Sequence, residues 1–338
     1  NILCHFLYGK SMYLRLTKKI MTKNRILIYI LVVAVVMTLP GALASCGNTD
    51  DLVDDTVTFT DALGRKVTIP KNPERVAALL GSFSDVWLLA GGKLCASAED
   101  AWEDFCLELG DAVNLGGAHS PSLELLISAD PDFVIASAST ASNVEMKESL
   151  DAMGITVAYF DVDNFDDYLK MLDICTDITG RKDLYEQNGL AIKAQIDEIK
   201  TEYKNADIPD GERKVLLLRA ASSFVKAKGS SGTILGEMLS SMGCINIADS
   251  DTSLLENLSV EAVIREEPHH IFVVTMGSDT EAARQSLENM MKENPTWGML
   301  EAVKCGRLHV MDKTLFNLKP NARWAESYEI LYEKLTKK

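Results

Sequence analysis

The sequence is poor in histidine and lacks the short motifs of several enzyme classes. Only 5 of its 338 residues are histidines. Neither G-x-S-x-G nor H-E-x-x-H occurs, and "GSSGTILGE" lacks the G-K-[ST] ending of a P-loop. These absences argue against a serine hydrolase, a zinc protease and a P-loop NTPase. A site for bare transition-metal ions is also disfavoured, because the chain beyond residue 45 offers only His119, His269, His270 and His309 as imidazole ligands.

The cysteines do not suggest a disulfide framework. There is no C-x-x-C, and the cysteines beyond Cys46 are Cys95, Cys106, Cys175, Cys244 and Cys305. An odd set cannot pair fully. We interpret most of them as small buried hydrophobic residues, and Cys95 with Cys106 as the sequence-near pair to test for a disulfide.

Acidic residues are absent from the first 45 positions, which contain six Lys or Arg residues. Within this stretch, "MTKNRILIYILVVAVVMTLPGALASC" has a basic start, an apolar run from Ile26 to Leu39 and small residues before Cys46, the pattern of a secretory signal peptide. The apolar run is too short to predict a membrane span. We interpret residues 1–20 as upstream sequence and Met21 as the start.

The end of this segment resembles a lipoprotein processing site. "LASC" followed by Gly47 is similar to the lipobox of bacterial lipoproteins, in which the peptide is cut before a cysteine that is then lipid-modified. Cys46 is therefore the predicted lipidated N-terminus, and a polar tether follows it. The alternative is an ordinary secretory peptide that ends in cysteine.

Positive charge is scarce in the remainder of the chain. Residues 46–338 contain 28 Lys or Arg against 49 Asp or Glu, a net charge of −21. Such a chain is not expected to bind nucleic acid through general electrostatic attraction. Its length is sufficient for two ordinary domains, each with its own core.

Short β-rich runs alternate with helical patterns beyond the tether. "TVTFTDALGRKVTIP" is typical of a hairpin, and runs such as "DFVIAS", "ITVAYF", "KVLLLRA" and "HHIFVVT" are each followed by a helix. This alternation indicates mostly parallel sheets covered by helices. One helix is predicted over residues 143–153, whereas "AEDAW" and "RAASSFVKAKGSSGT" are interpreted as loops.

A helical segment separates two such α/β regions. Apolar residues recur at helical spacings from Leu184 to Tyr203, and neither Pro nor Gly occurs between Leu190 and Asp207. We therefore predict an α/β fold of two three-layer lobes with mostly parallel sheets, joined by a single long α-helix, with a ligand cleft between the lobes. The predicted segments are 1–45 (upstream residues and lipoprotein signal peptide), 46–55 (tether), 56–180 (N-terminal lobe), 181–206 (connecting helix) and 207–338 (C-terminal lobe).

Two segments of the chain nearly repeat each other. "SLELLISADPDFVI" begins at Ser122 and "SVEAVIREEPHHIF" begins at Ser259. In each, the Ser is a predicted N-cap, a Glu (Glu124 or Glu261) lies in the first helical turn, and the helix ends before a Pro that precedes a buried strand. One acid in a first turn is explained by the helix dipole, which it stabilises by ~0.3–1 kcal/mol. Its recurrence in both lobes suggests a further role.

These segments, together with "LASC" and the connecting helix, carry a family resemblance. The chain resembles the substrate-binding lipoproteins of ABC importers for iron-siderophores, haem and cobalamin. The resemblance covers the chain from about Thr56 and includes "TDALGRKVTIPKNPERVAAL", which is similar to that family's N-terminal hairpin and first strand. In the family, one surface Glu on each lobe meets Arg residues of the permease dimer, and Glu124 and Glu261 occupy the matching positions.

The resemblance implies a carrier rather than an enzyme. It implies a monomeric, extracytoplasmic lipoprotein without a cofactor, anchored to the membrane through Cys46, that delivers an iron complex to an ABC permease dimer. A ferric siderophore is the preferred ligand, and haem and cobalamin are alternatives. A surface lipoprotein enzyme and an adhesive lipoprotein are the alternatives from other classes.

Candidate ligand-binding residues lie in the loops that follow the predicted strands, because open α/β sheets bind ligands beyond the carboxyl ends of their strands. The N-terminal lobe offers Ser82, Phe83, Trp102, His119 and Thr140. The C-terminal lobe offers Arg219, Lys226, Lys228, Met276, Phe316, Lys319, Arg323 and Trp324.

Because the chain is strongly acidic, the basic candidates are the most informative about the charge of the ligand. They suggest an anionic ligand, with Arg suited to carboxylate or catecholate oxygens. Arg219 and Arg323 are favoured, whereas ion pairs with surface acids are an equal alternative for the lysines. If haem is the ligand, His119 and Met276 are the candidate axial ligands; no residue is expected to bind a metal ion directly otherwise.

The connecting helix also predicts how far the lobes move. One continuous helix resists bending better than flexible crossovers do, so we expect only a small closure on ligand binding.

Overall fold

The structure is a computed structural model that describes residues 55–277 and 279–337. The predicted signal peptide, the predicted lipidation site at Cys46 and most of the tether lie outside these residues. In the described part of the chain, no helix combines the length and the apolar character needed to cross a bilayer.

A β-hairpin opens the described chain, as predicted. Strands β1 (Thr56–Thr60) and β2 (Lys66–Pro70) pair antiparallel. In the turn, the buried Asp61 carboxylate accepts hydrogen bonds from the backbone N–H groups of Leu63 and Arg65. It also forms an ion pair with the Arg65 guanidinium at 2.7 Å. The side chain thus satisfies the backbone of the turn.

The first large sheet is entirely parallel. Its strands are β3 (Val76–Ala78), β4 (Ala96–Ser97), β5 (Val113–Asn114), β6 (Phe133–Ser137) and β7 (Thr156–Phe160). They lie in the order β5-β4-β3-β6-β7. We call this sheet with its helices the N-terminal lobe. The helices are α1 (Gly81–Leu89), α2 (Asp100–Glu103), α3 (Leu123–Ser128), α4 (Ala141–Glu145), α5 (Lys147–Ala152) and α6 (Phe165–Thr179).

Two local predictions in this lobe were wrong. The stretch interpreted as the loop "AEDAW" contains α2, and the helix predicted over residues 143–153 is divided into α4 and α5 at Met146. The Asn143 side chain explains part of the division. Its Oδ1 accepts a hydrogen bond from the backbone N–H of Ser137, which ties α4 to the end of β6.

The connecting segment is helical but is not one regular α-helix. It consists of α7 (Lys182–Tyr185), a π-helical turn (Glu186–Leu190) and α8 (Ala191–Asn205). At Gly189 in the π turn, a Cβ atom would lie 3.0 Å from Leu169 Cδ2 of α6. The segment therefore passes close to α6 where the widened turn occurs, and apolar periodicity gave no signal of this turn.

The second large sheet is parallel except for one strand. Its strands are β8 (Lys214–Ala221), β9 (Phe224–Lys228), β10 (Ile245–Asn246), β11 (His270–Thr275) and β12 (Leu308–Met311). The order is β10-β8-β11-β12, and β9 pairs antiparallel with the last part of β8. The stretch "RAASSFVKAKGSSGT", interpreted as a loop, thus contains a hairpin, with Ser222 and Ser223 between its strands.

The helices of this second sheet complete the C-terminal lobe, as we call it. They are α9 (Ile234–Ser241), α10 (Ile247–Ser250), α11 (Ser253–Glu256), α12 (Val260–Glu266), α13 (Thr280–Glu293), α14 (Glu301–Lys304), α15 (Lys313–Phe316) and α16 (Trp324–Thr336). Short 3-10 turns lie at Asp210–Arg213, Pro295–Met299 and Asn321–Arg323.

One apolar core lies against both sheets, and each sheet has a second core on its other face. This shared core includes Val76 and Phe133 of the first sheet, Ile196 of α8, and Val215 and Phe272 of the second sheet. Alternate residues of the same strands face separate cores. Each sheet is thus buried on both faces, which confirms the predicted two-lobe, three-layer α/β fold. The exact lobe boundaries stay a prediction.

The cysteines depart from the expected pattern. Cys95 is a free thiol, so it does not form a disulfide with Cys106, the pairing that the sequence left open. Of the other free thiols, Cys175 is fully buried in the shared core, Cys244 is half-buried and Cys305 is exposed. The interpretation as buried hydrophobic residues therefore holds in full only for Cys175.

Candidate functional site

Each large sheet has a point from which its strand order grows in opposite directions. In the N-terminal lobe this point lies between β3 and β6, and in the C-terminal lobe it lies between β8 and β11. Ligands of open α/β sheets bind beyond the carboxyl ends of the strands at such points. Ser82 follows β3, Thr140 follows β6, Arg219 lies near the end of β8 and Met276 follows β11. The topology therefore places these four predicted residues at the two switch points.

The loops that follow β3 and β4 meet at Asp100. The Asp100 Oδ1 atom accepts a hydrogen bond from the backbone N–H of Gly81 at 2.9 Å. Burial raises the pKa of Asp100, and the hydrogen bond from Gly81 opposes that rise. Gly81 itself cannot carry a side chain, because a Cβ there would lie 2.5 Å from the backbone N of Ala101. This close approach sets α1 directly against α2.

The N-terminal lobe forms one wall of the predicted cleft, and several of the predicted residues on it are accessible to solvent. His119 is exposed, whereas Trp102 and Thr140 are half-buried. Ser82 is buried in the first turn of α1. On the opposite wall, Met276 is 40% exposed.

The three other aromatic candidates lie in the shared core rather than on an exposed wall. Phe83, Phe316 and Trp324 are each at most 2% exposed. Phe83 packs edge-on against Phe160, and Trp324 packs edge-on against Phe165. This placement differs from the prediction, because an aromatic residue that follows a strand can turn back onto the core as readily as outward.

Three cations share one face of the β8–β9 hairpin. Arg219 lies directly opposite Lys226, and Lys228 lies opposite Leu217. Because side chains alternate across a strand, Arg219, Lys226 and Lys228 all lie on the face that Leu217 presents to the shared core. We call these three residues the basic triad.

No carboxylate within the described residues forms an ion pair with the basic triad. The Arg219 Nε atom is buried and has no hydrogen-bond partner in this part of the chain. Burial lowers the pKa of Arg219. Burial is the main cause that lowers the pKa of Lys228, and the charges of Arg219 and Lys226 lower it further. The three cations of the basic triad repel one another, and no acid among the described residues neutralises them. A bound anion would relieve this repulsion.

The other two basic candidates are already close to acids. The Arg323 guanidinium donates two hydrogen bonds to the Glu326 carboxylate, at 2.8 and 3.1 Å. Lys319 Nζ lies 5.9 Å from the centre of the Phe83 ring. Burial lowers the pKa of Lys319, and the charges of Asp163, Asp161 and Asp100 oppose that shift. Of the two favoured arginines, Arg323 therefore has a carboxylate partner, whereas Arg219 has none within residues 55–277 and 279–337.

The two near-repeated segments form the same local structure. Ser122 caps α3 by accepting a hydrogen bond from the N–H of Leu125 at 3.2 Å, and Ser259 caps α12 by accepting one from the N–H of Ala262 at 3.4 Å. Glu124 is exposed in the first turn of α3. Glu261 is likewise exposed, and accepts a hydrogen bond from the Ser259 hydroxyl at 2.8 Å.

The repeat extends further than the sequence suggested. Asp130 and Glu267, each just before the Pro, both have a φ of 48°. A basic side chain covers the end of each helix: Arg75 donates to the carbonyl oxygen of Ala129, and Lys214 donates to that of Glu266. Cations near a helix C-terminus are favourable.

His269 and His270 lie at the start of β11, of which His270 is the first residue. His270 is buried, and its Nδ1 lies 3.2 Å from Nε2 of His309 on β12. Burial lowers the pKa of His270 to about 3 and that of His309 to about 4. Over residues 55–277 and 279–337, no group of three His, Cys, Asp or Glu side chains is placed to hold a metal ion.

Comparison with known proteins identifies the family. A family model described as "Periplasmic binding protein" matches residues 76–315. The chain belongs to the periplasmic binding protein family. The matched region begins at β3 and runs through α15, so it includes both sheets and the basic triad.

Two curated periplasmic binding protein relatives come from Bacillus subtilis (strain 168). The uncharacterized ABC transporter substrate-binding lipoprotein YvrC is 26% identical over 307 residues, which cover 87% of this chain and 92% of YvrC. The Fe(3+)-citrate-binding protein YfmC is 25% identical over 258 residues, which cover 73% of this chain and 76% of YfmC.

A solved structure has the same fold. Staphylococcus aureus SirA, in its complex with staphyloferrin B, superposes with a TM-score of 0.62 at 20% sequence identity. The match covers 83% of this chain and 98% of SirA. It supports the assignment of the two-lobe fold.

Proposed function

We propose that this protein is an extracytoplasmic substrate-binding lipoprotein that captures an anionic iron complex, preferably a ferric siderophore, and delivers it to an ABC importer. The observation that carries the proposal is the basic triad at the carboxyl end of β8. Three cations without acidic partners among the described residues, in a chain of strongly negative charge, favour a ligand with several anionic oxygens.

The relatives support each part of this proposal. YvrC is named a substrate-binding lipoprotein of an ABC transporter, YfmC is named for Fe(3+)-citrate, and the SirA structure contains staphyloferrin B. "LASC" provides a cysteine, Cys46, at the position where such a lipoprotein would be anchored. The named relatives are binding or transport proteins, which favours a carrier over a surface enzyme.

The ligand site that we propose combines both walls. Arg219, Lys226 and Lys228 bind the anionic oxygens, and Ser82, Thr140, Trp102, His119 and Met276 border the cleft around them. Lys319 and Arg323 contribute less, because Asp163, Asp161 and Asp100 surround the first and Glu326 pairs with the second. Phe83, Phe316 and Trp324 support the walls from the core.

We further propose that Glu124 and Glu261 dock on the permease dimer. Both carboxylates are exposed in the first turn of a short capped helix, one in each lobe. Each can pair with an arginine of the partner, so the two together report the relative placement of the lobes.

The identity of the ligand is tested by native mass spectrometry combined with visible absorption. The purified chain is incubated with ferric citrate, a panel of ferric siderophores, haem and cobalamin. We expect one molecule of an anionic ferric siderophore or ferric citrate to remain bound to a monomer, with weaker binding at high ionic strength. Retention of haem or cobalamin alone would overturn the siderophore assignment, and consumption of a bound compound would indicate an enzyme.

A further inference from the structure

A short segment of the C-terminal lobe contacts the N-terminal lobe directly. This segment runs from α15 to the start of α16. Near its beginning, Lys313 Nζ lies 2.7 Å from the Asp104 carboxylate. At its end, Asn321 Nδ2 donates hydrogen bonds to the carbonyl oxygen of Ser82 at 2.8 Å and to Asp85 Oδ2 at 2.9 Å. These contacts join the start of α16 to the first two turns of α1.

Asn321 is built into this contact. It is fully buried, and its backbone adopts a φ of 50°, a left-handed conformation that Asn tolerates better than most residues. Its amide nitrogen binds two acceptors of the N-terminal lobe, whereas its Oδ1 atom is buried without a hydrogen-bond partner in the part of the chain that the structure describes. An unpaired buried acceptor destabilises the state in which it is buried, so this arrangement calls for an explanation.

The explanation lies in the group that Asn321 contacts. Asp85 is the acidic residue of an otherwise apolar or hydroxyl-bearing helix, "GSFSDVWLL". Burial raises its pKa to about 6, and the hydrogen bond from Asn321 and the charge of Arg323 oppose that rise. Tyr168 of α6 lies near enough for the charge of Asp85 to raise its pKa, although burial is the larger cause, and its hydroxyl group donates to the carbonyl oxygen of Asn188. Glu326 of α16 also binds Arg323, which limits how far that arginine can neutralise Asp85.

We propose that Asp85 and Asn321 form a proton-sensitive contact between the two lobes, which is tighter in mildly acidic than in neutral surroundings. When Asp85 is protonated, its O–H can donate to the unpaired Oδ1 of Asn321 while Nδ2 of Asn321 continues to donate to Asp85. The two side chains then form a reciprocal acid–amide pair, and the buried negative charge disappears. The proposal concerns lobe placement and does not depend on which ligand is bound.

The direction of the pH effect follows from proton linkage. With the lobes in contact, burial raises the pKa of Asp85 from its ordinary value of 3.8 to about 6 and outweighs the opposing hydrogen bond from Asn321 and charge of Arg323. The contact state therefore binds the proton more tightly, and protonation favours that state. If separation of the lobes returns the pKa of Asp85 from about 6 to its ordinary 3.8, the ratio of contacting to separated lobes rises roughly tenfold between pH 7.5 and pH 5.0.

The test measures lobe separation in the full mature chain. Keto amino acids at the exposed positions Glu148 and Arg284, one in each lobe, carry spin labels without involving the native cysteines. Distance distributions by double electron–electron resonance are then compared at pH 7.5 and pH 5.0. We expect the wild type to shift toward the contacting population at pH 5.0.

Three variants make the test specific. In Asp85→Asn, which keeps the shape but cannot titrate, the distribution should not change with pH. In Asn321→Gly, which tolerates the left-handed backbone but lacks the amide, the separated population should increase at both pH values. Asn317→Gly, in the same segment and without a side-chain hydrogen bond among the described residues, should behave as the wild type.

Two outcomes would overturn the proposal. One is a wild-type distribution that is the same at pH 7.5 and pH 5.0. The other is a pH response that persists in Asp85→Asn. Asp85→Asn preserves the side-chain volume and one acceptor oxygen at position 85, so this variant is expected to fold. The test therefore remains decisive even if circular dichroism shows that Asn321→Gly is unstable.

Discussion

At the scale of single residues, the two favoured arginines have different surroundings. Sequence reasoning ranked Arg219 and Arg323 together, because each follows or opens an element at the cleft. In the structure, the Arg323 guanidinium binds Glu326, whereas Arg219 has a buried Nε without a partner among the described residues. An arginine that already pairs with a carboxylate gains less from an anionic ligand.

This difference gives a prediction for ligand affinity. Arg219→Ala should weaken binding of the ferric ligand at least tenfold, since a hydrogen bond to a charged group contributes about 1.5–3 kcal/mol. Arg323→Ala should change it less than threefold, which corresponds to about 0.7 kcal/mol. Isothermal titration calorimetry measures both, with Lys292→Ala on α13 as a control for the loss of one positive charge. Equal losses in the two arginine variants would contradict the proposed role of the basic triad.

The aromatic candidates show what sequence cannot decide at this scale. Loop position suggested Phe83, Phe316 and Trp324 as cleft residues, but all three are buried. Asp85 and Asn321 were missed, although a lone Asp within an apolar helix was a visible signal. Whether such a side chain meets a partner depends on the placement of the other lobe, which residue types alone do not determine.

At the scale of elements, patterns within one segment were predicted better than pairings between segments. The hairpin, the strands β6, β7, β8 and β11 and the two serine caps were predicted, because alternation and capping chemistry are local. Strand β9 was missed because its partner is set by the antiparallel return of the chain at Ser222 and Ser223. The π turn was missed for a related reason, since it reflects the passage of Gly189 against Leu169 of α6.

The neighbouring strands β11 and β12 carry a prediction about acid stability. Their two facing histidines, His270 and His309, keep pKa values of about 3 and about 4, mainly because of burial, against an ordinary 6.5. The unfolded chain takes up protons near pH 6.5, and the folded chain does so only at lower pH. The free energy of unfolding should therefore fall as the pH decreases from 7 to 4.

Chemical denaturation at pH 7 and pH 5 measures this effect. The double variant His270→Phe with His309→Phe should lose less stability between the two pH values than the wild type, whereas His119→Gln, at an exposed position, should lose as much. A double variant with the wild-type dependence on pH would show that other groups cause the acid sensitivity.

At the scale of the whole molecule, the repeated helices α3 and α12 place one exposed carboxylate on each lobe. The order of strands and helices was sufficient to predict two lobes, and the family resemblance suggested the docking role that we propose for Glu124 and Glu261. Their distance from each other follows from the packing of the lobes, which no local pattern encodes.

The docking role predicts a separation between uptake and binding. Glu124→Ala combined with Glu261→Ala should abolish uptake of the ligand by cells while leaving its affinity for the purified protein unchanged, because both residues lie outside the proposed cleft. Radiolabelled iron uptake and calorimetry measure the two quantities. Replacement of the exposed Glu148 and Glu281 by Ala is the matched control, and normal uptake in the Glu124 and Glu261 variant would argue against docking at these sites.

The shared core limits how the ligand preference of this chain can evolve. Trp324 of the last helix packs on Phe165 of α6, and Ile196 of α8 belongs to the same core as residues of both sheets. A chain cut between its two sheets would leave each half with one face of its sheet uncovered. Replacing a whole lobe by that of a relative would likewise bring together core residues from two proteins that are not complementary in packing. New ligand preferences are therefore acquired more readily by replacing cleft loops than by recombining lobes.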